Sequence, residues 1–146
     1  MFEAFLVTTS SEGLLPLGSA AQRSFELVSG TVRDRLGDQH ANLFSEPVAA
    51  THGDSTDWHA PMPGQPQRLS DLDADDRQLV RDALGVLVQD ILEVSQELAE
   101  SPSPQDQRLS EALANALEIP GEDMIYVVRD EDGALNPVLV NWAWSR

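Results

Sequence analysis

The chain has 146 residues, and its 25 Asp and Glu face 9 basic residues, giving a formal net charge of -16. All nine basic residues are Arg, and Lys and Cys are absent. Without Lys there is no P-loop and no Schiff-base chemistry, and without Cys there is no thiol catalysis, disulfide, Fe–S cluster or Cys-based zinc site. The acidity argues against direct binding of nucleic acid or of an anionic membrane surface, and it favours a basic protein partner.

An apolar fraction of 41% is enough for a single acidic globular domain over residues 1–146. Arg in place of Lys fits a GC-rich bacterial genome. Met1–Thr9 carries no basic residue before its apolar stretch, so no signal peptide is expected, and no apolar run approaches ~18 residues. The expected location is cytoplasmic. The charge is uneven: residues 70–132 hold seventeen acids and four Arg, a net of -13.

In chain order, Phe2–Thr9 reads as a short strand and Ser10–Gly18 as a turn. Ser19 is positioned to cap a helix running to about Leu36, with Phe25, Val28, Val32 and Leu36 at helical spacing and Gly37 as C-cap. Gly30 and the β-branched pair Thr31–Val32 leave a strand open as the alternative. Residues 37–69 form a flexible Pro/Gly-rich segment with possible short strands at Leu43–Ala49 and Ser55–Ala60. Pro61, Pro63, Gly64 and Pro66 mark an extended linker.

The strongest periodicity follows. Ser70 or Asp71 starts a helix to about Glu100, with Asp73, Asp75 and Asp76 in its first turn, where acids favour the helix dipole. Val80, Leu84, Leu87, Ile91, Val94 and Leu98 step by 4, 3, 4, 3, 4, and Leu79, Val88 and Leu92 widen the apolar stripe. Ser101–Pro104 breaks the helix, and Ser103 caps a second one with Pro104 at its first position. Leu109, Leu113 and Leu117 flank Ala112 and Ala116, which allow close helix approach, so the two helices form an antiparallel hairpin. Met124–Arg129, a turn at Asp130–Gly133 and a return strand Leu135–Trp144 predict a C-terminal β-hairpin. The expected fold class is α+β: a small mixed or antiparallel sheet from the N-terminal strand and the C-terminal hairpin, packed by the helical hairpin.

Candidate chemistry is sparse. Gly53-Asp54-Ser55 resembles the Gly-Asp-Ser block of the GDSL esterase family, whose Ser is the nucleophile and whose base comes from a downstream Asp-x-x-His. The resemblance covers three residues, and no His follows His59, so the tripeptide is read as chance. His40, His52 and His59 lie near Asp38, Glu46, Asp54 and Asp57 and are weak candidate metal ligands. No helical ligand spacing fixes them, so ordinary surface or hydrogen-bonding histidines are the preferred reading and no cofactor is expected. Asp71-x-Asp73-x-Asp75 begins like an EF-hand loop, but position six is Asp76 and position twelve Asp82, so the run reads as a helix N-terminus.

The candidate partner-binding residues are Trp58, Trp142 and Trp144, as aromatic anchors, and Asp71, Asp73, Asp75 and Asp76, as an acidic patch. Core packing is the competing role for the three Trp. The leading functional expectation is a non-catalytic protein-interaction or accessory subunit of a larger bacterial assembly. The alternatives are an acidic inhibitor, either an immunity protein or a nucleic-acid mimic, that blocks a basic partner, and a small metal or Ser/His hydrolase.

Overall fold

The computed structural model describes residues 4–49 and 55–146 and has an α+β fold. Its strands fall into three antiparallel groups rather than one sheet. β1 (Phe5–Ser10) and β3 (Glu46–Ala49) flank β4 (Ser55–His59). β5 (Gln65–Arg68) and β7 (Leu135–Leu139) flank β6 (Ile125–Arg129). β2 (Leu15–Pro16) pairs with β8 (Trp144–Ser145). The N-terminal strand and the C-terminal hairpin thus sit in different sheets, and the last strand, β8, pairs with β2 rather than with β1. Residues 37–69 supply α2 (Asp38–Ala41), β3, β4 and β5, with Pro66 inside β5. As an edge strand, β5 tolerates a residue that cannot donate to the ladder.

A register shift between Phe5 and Val7 makes a bulge in β1 against β4, and consecutive Leu6 and Val7 both pack on buried apolar side chains. β6 is central in its sheet, and Ile125, Tyr126, Val127 and Val128 are all buried. Ile125 and Val127 join the main core, while Val128 and Val138 pack with Ala60 in a second cluster against Leu6 and Met62. Both faces of that sheet are therefore covered, which explains an unbroken apolar run in place of alternation. Gly64 enters β5 at φ +149, and a Cβ there would lie 2.5 Å from the Arg129 carbonyl oxygen. Only glycine meets both demands.

α1 covers Phe25–Leu36, and its cap is Ser24, whose side chain accepts from the Leu27 amide. Ser19 instead exchanges bonds with Gln22 across a preceding turn, Ser19 N to Oε1 at 2.8 Å and Gln22 N to Oγ at 3.2 Å. The cap position moves because two capping sites compete five residues apart. Gly37 ends α1 at φ 106, with its N–H donating to the Arg33 carbonyl.

α3 (Ala74–Ala99) and α4 (Pro104–Ala116) form the helical hairpin, packed on the sheets. Val80, Leu87, Ile91, Val94 and Leu98 are buried, and Leu84 packs against them. α4 buries Ala112, Leu113 and Ala116 and starts as the sequence predicts, with Ser103 capping through the Asp106 amide and Pro104 in the first turn.

The return strand of the hairpin is shorter than expected. β7 stops at Leu139, and Asn141 and Ala143 take φ 54 and φ 66. These left-handed residues turn the backbone so that Trp144 leaves β7 and enters β8. Val138, Leu139, Val140, Asn141, Trp142 and Ala143 are consequently all buried, and the two-residue alternation ends at β7.

Candidate functional site

The acid-rich start of α3 divides by role. Leu69–Asp71 is a separate 3-10 turn, so neither Ser70 nor Asp71 begins the helix. Asp73 is the N-cap, and its carboxylate accepts from the Asp76 amide at 2.8 Å. Asp76 is 3.6 Å from Arg129 and ties α3 to β6. Of the four predicted acids, Asp73 and Asp76 hold the fold together, and Asp71 and Asp75 are exposed without either role.

A longer acidic row continues from Asp75. Steps of 4, 3, 4, 7 and 4 carry Leu79, Asp82, Val86, Glu93 and Glu97 along one face of α3, and Glu100 stands at its C-cap. Spacings of three and four keep side chains on one helix face. All of these residues are exposed. Leu79 is 63% exposed and Val86 62%, which corrects the expectation that Leu79 widens the buried stripe. Leu79 lies one residue before Val80, and that step of about 100° carries it out of the core. Among the described residues, none of Asp75, Asp82, Glu93, Glu97 and Glu100 forms an ion pair. Gln78 donates to Asp82 at 2.8 Å and Gln89 to Glu93 at 3.4 Å, which holds both carboxylates outward.

Two of these acids oppose the helix they stand on. The last turn of α3 has no basic residue and carries Glu97, with Glu100 following. Carboxylates at the negative end of a helix dipole are destabilising. Among the described residues neither Glu97 nor Glu100 has an ion-pair partner to offset that cost.

The aromatic candidates are placed differently. Trp58 is 3% exposed, and its Nε1 donates to Thr9 Oγ1 at 2.8 Å. Trp142 is 2% exposed, donates from Nε1 to the Ser45 carbonyl at 2.8 Å, and meets Phe44 and Trp58 edge-on at 5.6 and 6.3 Å. Trp58 and Trp142 are therefore core residues with satisfied N–H groups, a correction to their reading as surface anchors. Trp144 is half-buried, with the Arg23 guanidinium 5.5 Å from its ring centroid.

His40 and His59 lie on different elements, α2 and β4. His40 Nε2 lies 2.8 Å from Asp90 Oδ2, joining α2 to α3, and its buried Nδ1 has no partner. His59 packs edge-on to Phe5 at 5.5 Å. His52, Gly53 and Asp54 lie outside the described residues, while Ser55 opens β4 opposite Ser10. Among the described residues no three His, Asp or Glu side chains group to hold a metal ion. No helix of the described residues is long and apolar enough to cross a membrane.

The free row on α3 was only partly visible in the sequence, because the pattern marks which face is apolar and not which acids lack partners. The useful signal was a Leu and a Val off the seam, at 79 and 86, separated by one heptad among acids. No protein-family model, curated protein or solved structure matches this chain.

Proposed function

We propose that this protein is a non-catalytic interaction module, an accessory subunit whose exposed α3 face takes a basic segment of a protein partner. The observation that carries the reading is the unpaired row Asp75, Asp82, Glu93, Glu97 and Glu100 with Leu79 and Val86 exposed between its members. The carboxylates supply attraction and orientation, and the two aliphatic side chains supply a desolvated centre. The seam residues of α3 and Trp142 are used inside the fold, whereas this face keeps both kinds of contact free.

The test compares wild type with Asp82→Asn/Glu93→Gln/Glu97→Gln and Leu79→Ser/Val86→Ser in affinity purification from native cells at low and high salt. Captured proteins are then purified and titrated directly. The expected partner binds through a Lys/Arg-rich segment, is released by salt, and is lost by both variants while their circular dichroism is unchanged. A partner held equally by wild type and both variants, with no salt dependence, refutes the reading.

A second reading rests on the same row. From Asp75 to Glu97 it extends about 33 Å at 1.5 Å per residue, long enough to occlude a basic groove. An acidic inhibitor would abolish the activity of its bound partner, whereas an accessory subunit would leave it intact or raise it.

A further inference from the structure

A second feature shares no residue with the acidic row on α3. A cavity of about 500 Å³ opens between β1 and the β5–β6 pair, bordered by the turn Glu12–Leu14 and by Arg146. Its size suits a metabolite-sized molecule. We propose that this cleft binds the carboxylate or phosphate group of a small organic molecule.

The argument rests on which hydrogen atoms face the cleft. Arg68 donates from Nε to the Tyr126 hydroxyl at 3.1 Å, and its guanidinium carbon lies 5.8 Å from the centroid of that ring. One guanidinium N–H is thereby used and four remain. The Tyr126 oxygen accepts this bond, so its own hydrogen is free to donate.

Asn141 is 4% exposed and lines the same cleft. Its amide orientation follows from a chain of bonds. The Trp58 indole N–H can only donate, and it donates to Thr9 Oγ1 at 2.8 Å. Thr9 passes its own hydrogen to Asn141 Oδ1 at 3.1 Å. Asn141 Nδ2 must then point the other way, where its one partner is the Met124 sulfur at 3.5 Å, a weak acceptor. A nearly buried amide donor is left without a strong acceptor beside the free donors of Arg68 and Tyr126. Three donors lining one cleft, one of them cationic, are the kind of set that recognises an oxyanion.

The acids in the lining do not reverse this. Asp123 is 3.8 Å from Arg146, and Glu12 is the other carboxylate. Two Arg and two acids line the cleft, and Asp123 and the nearby Asp71 both act on Arg68, so its surface is far less acidic than a chain of net charge -16 would suggest but is not cationic.

The experiment is an NMR titration of the full chain with inorganic phosphate and, separately, with citrate, at ionic strength held constant with sodium chloride. The expected result is saturable shifts of amides in residues 7–14, 122–126 and 141–146 with at least one of the two anions. Saturation by phosphate alone or citrate alone assigns the class of ligand. Arg68→Gln should weaken binding by about tenfold or more, the size of a lost charged hydrogen bond. Asn141→Asp, which keeps a residue tolerant of positive φ, should abolish it by placing a carboxylate where the donor stood. If one variant fails to fold, the other decides the matter. Shifts that do not saturate with either anion, or binding unchanged in the folded variant, overturn the proposal.

Discussion

Ser95 and Ser110 exchange hydrogen bonds across the α3–α4 interface: Ser95 Oγ donates to the Ser110 carbonyl at 2.8 Å and Ser110 Oγ to the Ser95 carbonyl at 2.6 Å. Both residues are buried, and their hydroxyl oxygens are 3.1 Å apart. The pair lets two helices approach closely without stranding a polar group. Ser95→Ala or Ser110→Ala should each cost about 0.5–1.5 kcal/mol, and the double variant should deviate from additivity because the two hydroxyls are in contact. Ser95→Leu should cost more than either, because there is no room for the added volume. Urea unfolding checks this; an Ala variant as stable as wild type would show that the exchange contributes nothing.

The two tryptophans near the C-terminus should behave in opposite ways. Trp142→Ala removes a buried ring between Phe44 and Trp58 and should cost about 3–5 kcal/mol, a large part of typical domain stability. Trp142→Phe keeps most of the packing but strands the Ser45 carbonyl, for about 1–3 kcal/mol. Trp144→Ala removes a half-buried ring and one cation–π contact with Arg23, worth about 0.5–1 kcal/mol at an exposed site. If the Trp144 variant is the less stable of the two Ala substitutions, the assignment of Trp142 to the core is wrong.

These residues also mark what the sequence made legible. The α4 start was readable because Ser103 and Pro104 leave one local solution, and the α3 seam because its spacing repeats over six residues. The break after β7 was not, since Asn141 and Ala143 enter the left-handed region where no Gly signals it. That break separates the buried Trp142 from the half-buried Trp144, which a continuous return strand to Trp144 would not do. The Ser95–Ser110 exchange depends on the helix register, which local patterns do not encode. An acidic patch at the start of α3 was legible, but not which of its acids are free, because Asp73 and Asp76 are consumed by a cap and an ion pair.

The unpaired row on α3 should be measurable in stability before any partner is known. Glu97→Gln and Glu100→Arg remove charge from the wrong end of the helix dipole and should each raise the melting temperature by about 1–3 °C. Asp75→Asn removes a favourable acid from the first turn and should lower it. Scanning calorimetry at low salt gives the sign, and added salt should shrink both differences. Substitutions that all shift the temperature in the same direction would rule out the dipole as the cause.

Asp130 organises the β6–β7 turn, and its acid titration should report that. One carboxylate oxygen accepts from the amides of Asp132 and Ala134 at 2.9 and 3.0 Å, and the other accepts from Asn136 Nδ2 at 3.2 Å. These bonds, that from the Asn136 side chain first and that from the Ala134 amide next, hold the carboxyl below its ordinary value of 3.8. A group whose value is lower in the folded chain than in the unfolded one stabilises the fold above the unfolded value. That contribution is lost as pH falls through the folded value. The turn should therefore stay intact at pH 5 and loosen only below 3.8. The NMR shifts of the Asp132 and Ala134 amides should show one inflection in that acid range, and Asp130→Asn should remove it. An inflection at or above the ordinary value would mean that the three bonds do not favour the ionised carboxylate.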